Sequence, residues 1–212
     1  SLKDWMRAAR AAGLEAPTHA VCCYPDEDGF IAAQVELTAA ALVAASRAGS
    51  PRVLFSAHGL PKKTIAKGDP YRRQVETTAA AIARKMGLGA ADWVVCYQSR
   101  VGPLEWIGPS TLGEIERAGR DRVPVVVVPI AFVSEHSETL VELDIEYRRK
   151  AEAAGVPAYA RVPAVAEHPR FIEGLARRVR AAVVQPAGTC GTGGGKICGQ
   201  THAGESARCA YG

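Results

Sequence analysis

The stretch Val123-Pro124-Val125-Val126-Val127-Val128-Pro129-Ile130 decides the fold. Valine at every position from 125 to 128 leaves no polar face, so the short strand it forms is buried on both sides. Such strands belong to parallel sheets covered by helices on each side. Around it, apolar β-branched runs alternate with longer Ala-rich stretches of helical period. Strands are expected at 19–24, 52–57, 93–97, 123–130 and 158–162, and helices at 2–12, 29–48, 71–86, 110–117, 137–154 and 169–184. This β-then-α alternation predicts an α/β fold, a doubly wound parallel sheet with helices on both faces. Residues 1–184 read as one domain. From 185 to 212 the chain is a Cys/Gly-rich tail without helical or strand period, unable to form a core alone.

Composition narrows the functional classes. The chain has 212 residues, 48% of them apolar, which is enough for a proper core. The net charge of +4 is mild, no Lys/Arg block stands out and only 6% of residues are aromatic, so nucleic acid is not an expected partner. No run of 18 apolar residues is present, and a transmembrane helix is not expected. The N-terminal Ser-Leu-Lys-Asp-Trp has no apolar h-region, so no signal peptide is expected and the cytoplasm is the expected location.

In a doubly wound sheet, ligands bind beyond the carboxyl ends of the strands. Three polar loops fall there: Ser56-Ala57-His58-Gly59-Leu60-Pro61, Gln98-Ser99-Arg100-Val101-Gly102-Pro103 with Trp106, and Ser134-Glu135-His136-Ser137-Glu138. The segment Cys23-Tyr24-Pro25-Asp26-Glu27-Asp28 follows a further strand at the same edge. His58, on a tight loop with Gly59 beside it, suits proton transfer or metal binding; a helix-capping or carbonyl-bonding role is the plainer alternative. Arg100 and Trp106 either form a surface turn or place a cation and a flat aromatic at the mouth of a site for a large planar ligand.

Phe132 to Tyr147 packs a His and five carboxylates into sixteen residues. Glu135, Glu138, Glu142 and Glu146 sit at offsets of three, four and four, which stacks them in one column on a helix. Stacked like charges repel, so the column needs a positive partner: a metal, protons, or the following Arg148, Arg149 and Lys150 on a solvated face. With Val141, Leu143 and Ile145 interleaved, the ladder could instead line a cavity in a helix distorted by a π-bulge. Glu135 and His136 precede the helix as cap-region residues.

Six cysteines divide into Cys22, Cys23 and Cys96 in strand-like runs and Cys190, Cys198 and Cys209 in the tail. Without a secretion signal, clustered cysteines point to metal or an iron–sulfur cluster before disulfides. The Cys-x7-Cys-x10-Cys spacing of the tail is not a common zinc spacing. A [2Fe–2S] cluster would need a fourth thiolate from the body. Three incidental thiols on a disordered tail are the alternative.

Four motifs in order carry a specific resemblance: Ser56-Ala-His-Gly-Leu-Pro61, Gly68-Asp-Pro-Tyr71, Tyr97-Gln-Ser-Arg-Val-Gly-Pro103 running on through Trp106 to Pro109, and Phe132-Val-Ser-Glu-His-Ser-Glu-Thr-Leu140 with Glu142-Leu-Asp-Ile-Glu-Tyr147. From about Ser1 to Val184 the sequence resembles ferrochelatase, the lyase that inserts Fe(II) into a porphyrin in haem biosynthesis. The resemblance implies a Rossmann-like fold of the chelatase type and His58 with Glu138 as the active pair facing the macrocycle. It implies Glu142 and Glu146, with Glu135 and His136, as a path for metal or protons. Trp106, Ser56 and Arg100 would lie in the porphyrin cleft. It further implies similarity to members holding a [2Fe–2S] cluster through Cys190, Cys198 and Cys209, with Cys23 or Cys22 as the fourth ligand. Members carry another half before the point matching Ser1, so the chain is expected to be a C-terminal half, weak alone, whose partners are porphyrin, ferrous iron and a missing N-terminal half. Association with the inner membrane would be peripheral at most. The alternatives are a cobalt or nickel chelatase of the same fold, or a non-catalytic porphyrin- or metal-binding half-domain.

Overall fold

The computed structural model describes residues 2–21, 23–99, 102–184 and 188–189. The valine run forms β4 (Val125–Pro129), with all five residues buried. It lies between β2 (Arg52–His58) and β5 (Tyr159–Arg161), and β3 (Trp93–Gln98) completes a four-stranded sheet in the order β3-β2-β4-β5. Every pairing is parallel, so all four strands point their carboxyl ends the same way. Strand alternation divides the apolar residues between two cores. Val53, Phe55, Ala57, Val126 and Val128 face one side, where they meet α2 (Asp28–Ala45), α4 (Tyr71–Met86) and α7 (Pro169–Val183). Leu54, Cys96, Val125 and Val127 face the other, with Ile115 and Ala118 of α5 (Thr111–Asp121) and Ala151 of α6 (Tyr147–Ala153). Helices thus cover both faces, as the double burial of the valines requires.

Two helices start on side-chain caps: Ser110 Oγ accepts from the Gly113 N–H at the head of α5, and buried Glu27 accepts from the Phe30 N–H at the head of α2. At α4, Asp69 accepts from the Tyr71 N–H, as Asp-Pro predicts. A short helix, α3 (Lys62–Ala66), was not legible in the sequence, and α1 (Leu2–Ala11) stands where expected.

Two expectations are corrected. The run 19–24 does not join the main sheet: only β1 (His19–Ala20) is strand, and it pairs in parallel with β6 (Gly188–Thr189) in a separate two-stranded sheet. Two residues of the stretch assigned to the tail therefore pair with the body. One helix, Asp28–Ala48, is long and apolar enough by composition to cross a membrane, with a mean hydropathy of 1.5. Of its apolar window 39% is buried, packed against α4, α7, β4 and β5, and Val43 stays exposed.

The helix following the active loops is held by a close approach between α5 and α6. A Cβ on Gly119 would sit 2.2 Å from the Ala154 carbonyl oxygen, which is backbone and cannot yield cheaply. Gly119→Ala is therefore expected to destabilise the protein by about 2 kcal/mol despite its better helix propensity. Urea unfolding of the variant checks this.

Candidate active site

His58 is the last residue of β2, and Glu138 is the first of a helix that begins beyond β4. The parallel order brings these two carboxyl-terminal exits side by side. His58 Nδ1 lies 2.6 Å from Glu138 Oε2, although 80 residues separate them. The side chains are 40% and 33% exposed, so the pair is open to a ligand but partly shielded from water. Tyr71 at the head of α4 donates its hydroxyl to the His58 carbonyl at 3.0 Å and fixes the backbone beneath the imidazole. Burial, with the charges of Tyr97 and Glu138 adding to it, raises the Tyr71 pKa, so the phenol remains a donor. Tyr71 also walls an apolar cavity of about 180 Å³ with Tyr24, Phe30, Val75, Ile130 and Val133.

The helix carrying the carboxylates is a π-helix over Glu138–Glu146, continuing into α6. A distorted helix was one of the two readings of a ladder that also carries apolar residues, and the distortion extends over nine residues. Leu143 is buried, whereas Val141 and Ile145 are each 45% exposed, so the apolar anchorage is narrow. The column is not neutralised by the basic triplet that follows it. Arg148 turns instead to Asp144 at 2.6 Å, to the Tyr159 carbonyl and over the Tyr159 ring. Glu142 is met by neutral donors: the Ser99 N–H and the Tyr147 hydroxyl each reach Oε1 at 2.9 Å, and the Ser99 hydroxyl reaches Oε2. The same Ser99 hydroxyl lies 3.3 Å from Glu138 Oε2. Burial, then the Glu142 charge and hydrogen bond, raise the Tyr147 pKa and keep it a donor. Glu146 ends the column exposed to solvent.

Glu135 and His136 stand apart from the column. Glu135 accepts from Arg161 Nη1 at 2.9 and 3.1 Å and from the Ala164 N–H at 3.0 Å. Burial works against its ionisation, but hydrogen bonds from Thr139, Arg161 and Ala164 outweigh it and lower its pKa. Arg161 Nε also lies 3.4 Å from Asp144 Oδ2, so one guanidinium, 10% exposed, ties the loop before the π-helix to its far end. His136 is an entry cap. Its Nδ1 accepts from the Glu138 N–H at 3.1 Å, its carbonyl accepts from the Leu140 N–H, and its ring packs edge-on against Phe132.

Trp106 lies in a bridge with Pro61, alongside the loop that follows His58, and its indole N–H is buried without a partner among the described residues. Ser56 does not reach a cleft. It is fully buried and bonds Gln98 Oε1 at 2.6 Å and Thr111 Oγ1 at 2.8 Å, because its position in β2 faces the α5 side of the sheet. Arg100 lies outside the described residues, as do Cys22, Cys190, Cys198, Cys209 and His202.

The described residues do not assemble an iron–sulfur site. Cys23 is a half-buried thiol, and Cys96 is fully buried with its pKa pushed up to about 12 by burial, although Thr111 bonds the sulfur. A cluster ligand must be a thiolate, which Cys96 resists becoming. No group of three or more His, Cys, Asp or Glu among the described residues could hold a metal ion.

A family model for ferrochelatase matches residues 1–183. The chain belongs to the ferrochelatase family. It is 50% identical over 202 residues to the ferrochelatase of Caulobacter vibrioides, a span covering 94% of this chain and 56% of that protein. It is 47% identical over 176 residues to the ferrochelatase of Wolbachia pipientis, covering 83% and 55%, and 46% identical over 183 residues to that of Phenylobacterium zucineum, covering 86% and 52%. The chain thus spans a little over half the length of the curated relatives it matches.

These findings correct two expectations. The expectation of a C-terminal half is corrected to family identity over nearly the whole chain, residues 1–183 by the family model and 94% of the chain in the Caulobacter vibrioides alignment. The comparisons do not support similarity to cluster-bearing members of the family.

Proposed function

We propose that the protein inserts Fe(II) into a porphyrin of the protoporphyrin class to make haem. The observation that carries this reading is the 2.6 Å contact between His58 and Glu138 at the shared edge of the sheet. Family membership supports it. Metallation requires two pyrrole N–H protons to leave and iron to lose its water. A carboxylate on Nδ1 holds the imidazole in the tautomer whose Nε2 lone pair is available, so His58 is the base for a pyrrole proton, and Glu138 stabilises the imidazolium that forms and can accept its Nδ1 proton. The two act together at one point rather than from opposite faces of the macrocycle.

Glu142 and Glu146 extend this site as an outlet for protons rather than as iron ligands. Both oxygens of Glu142 are engaged by hydrogen bonds, which leaves it poorly suited to a metal, and Glu146 meets solvent. Trp106 and Arg100 belong to the cleft wall in this reading. The proposed setting is the cytoplasm, with peripheral membrane contact at most.

Anaerobic assays with protoporphyrin and, in turn, Fe(II), Co(II) and Ni(II) test the assignment. Fe(II) is expected to give the highest kcat/KM. Preference for Co(II) or Ni(II) would replace it with another chelatase of the same fold.

A further inference from the structure

Ser99 has no role in the reading so far, yet it touches both upper members of the column. Its φ of 56° is in the left-handed region, where a residue with a side chain is disfavoured. In this conformation its N–H reaches Glu142 Oε1 while its hydroxyl lies within hydrogen-bonding distance of both Glu138 Oε2 and Glu142 Oε2. Glu138 Oε2 is also the atom that meets His58 Nδ1. The result is an unbroken sequence of atoms: imidazole, Glu138 Oε2, Ser99 Oγ, Glu142 Oε2, with Tyr147 on the other Glu142 oxygen.

A hydroxyl has one hydrogen, and two ionised carboxylates have none. Between the three oxygens there are two contacts and only one hydrogen to fill them. A single additional proton, on either carboxylate, completes both. We propose that Ser99 is the relay through which the proton received by Glu138 passes to Glu142. As the Glu138 Oε2–H proton moves to Ser99 Oγ, the hydrogen already on Oγ moves to Glu142 Oε2. Ser99 ends as a neutral hydroxyl, Glu138 ends ionised, the imidazole is left neutral with its proton on Nε2, and Glu142 ends protonated next to the exposed end of the column. The relay rests on the proposed insertion reaction; Ser99 itself touches neither macrocycle nor iron and acts through the two carboxylates.

Ser99→Gly removes the hydroxyl, keeps the N–H bond to Glu142 and suits the left-handed backbone. Anaerobic insertion is measured for both proteins in H2O and D2O, together with thermal unfolding. The relay predicts kcat lowered at least tenfold, KM for porphyrin within twofold of wild type, a smaller solvent isotope effect on kcat, and an unfolding temperature unchanged or raised. Wild-type kcat and isotope effect in Ser99→Gly would overturn it. So would a loss of rate matched by a raised KM or a lowered unfolding temperature, which would mark Ser99 as structural. If wild type itself metallates nothing, the proposed reaction fails, and the relay fails with it; an active wild type with an unaffected variant removes the relay alone.

Discussion

His58→Ala is expected to lower porphyrin metallation by roughly 10²–10⁴-fold, the range spanned by removal of a general base. The fold should survive. The side chain is 40% exposed, and the hydrogen bond from Tyr71 reaches the His58 backbone carbonyl, which alanine retains. Glu138→Gln keeps the shape of the pair but cannot carry the imidazolium charge, and should slow the same step greatly without preventing porphyrin from binding. Continuous anaerobic assays with porphyrin varied at saturating Fe(II) separate the effects on kcat from those on KM. Wild-type turnover in either variant would remove the pair from the reaction.

Arg161→Met is expected to cost about 2–3 kcal/mol at pH 7, measured by urea unfolding. The guanidinium pairs with both Glu135 and Asp144; its loss strands Glu135, which is only 28% exposed, while Asp144 keeps Arg148 at 2.6 Å. Breaking a fully buried pair costs more, about 3–5 kcal/mol, and the partial exposure of Glu135 reduces the penalty. Both carboxylates have lowered pKa values in the fold. For each, burial is the largest single influence and opposes the lowering; hydrogen bonds and the Arg161 charge prevail at Glu135, and Arg148 and Arg161 together prevail at Asp144. The unfolded chain therefore takes up protons first as the pH falls through the ordinary carboxylate range near about 4. The stability these groups contribute is fully present above that range and is lost as the pH falls through their lower folded values. The gap between wild type and Arg161→Met should accordingly narrow in acid. A gap constant from pH 7 to pH 3 would mean that Arg161 acts by packing alone. Because the same guanidinium links the two ends of the π-helix, the variant should also lose metallation activity through a less ordered column.

The parts that were legible in the sequence share one property: a local pattern with a single physical solution. Four consecutive valines have no polar face, so their burial on both sides and the parallel sheet follow. The carboxylate ladder interleaved with Val141, Leu143 and Ile145 left two readings, an ordinary helix with a solvated acidic face or a distorted one, and the helix is a π-helix. The column's charge partners were not legible, because they come from distant segments. His58 could be nominated, but the adjacent basic triplet was an equally good local answer until Arg148 was seen to turn to Asp144 and Tyr159. Ser99 gives no signal of its own: a serine in a loop looks like any other until a positive φ aims its N–H and hydroxyl at a helix more than forty residues on. Glu135 shows the converse. Its spacing puts it in the column, but it precedes the helix, and a buried arginine claims it. The 19–24 run failed for a related reason: strand propensity is satisfied by any free edge, and β6 offered one outside the main sheet.

The central claim is that the His58–Glu138 contact removes pyrrole protons so that Fe(II) can enter. The most direct measurement is an anaerobic visible-spectrum titration of the protein with protoporphyrin, followed by Fe(II). The account predicts saturable binding of the free base and then, on adding iron, collapse of its four visible bands to the two of a metalloporphyrin, with His58→Ala and Glu138→Gln stopping at the first stage. Tight porphyrin binding with no spectral collapse in the wild-type protein would contradict the account and make the site a binding module.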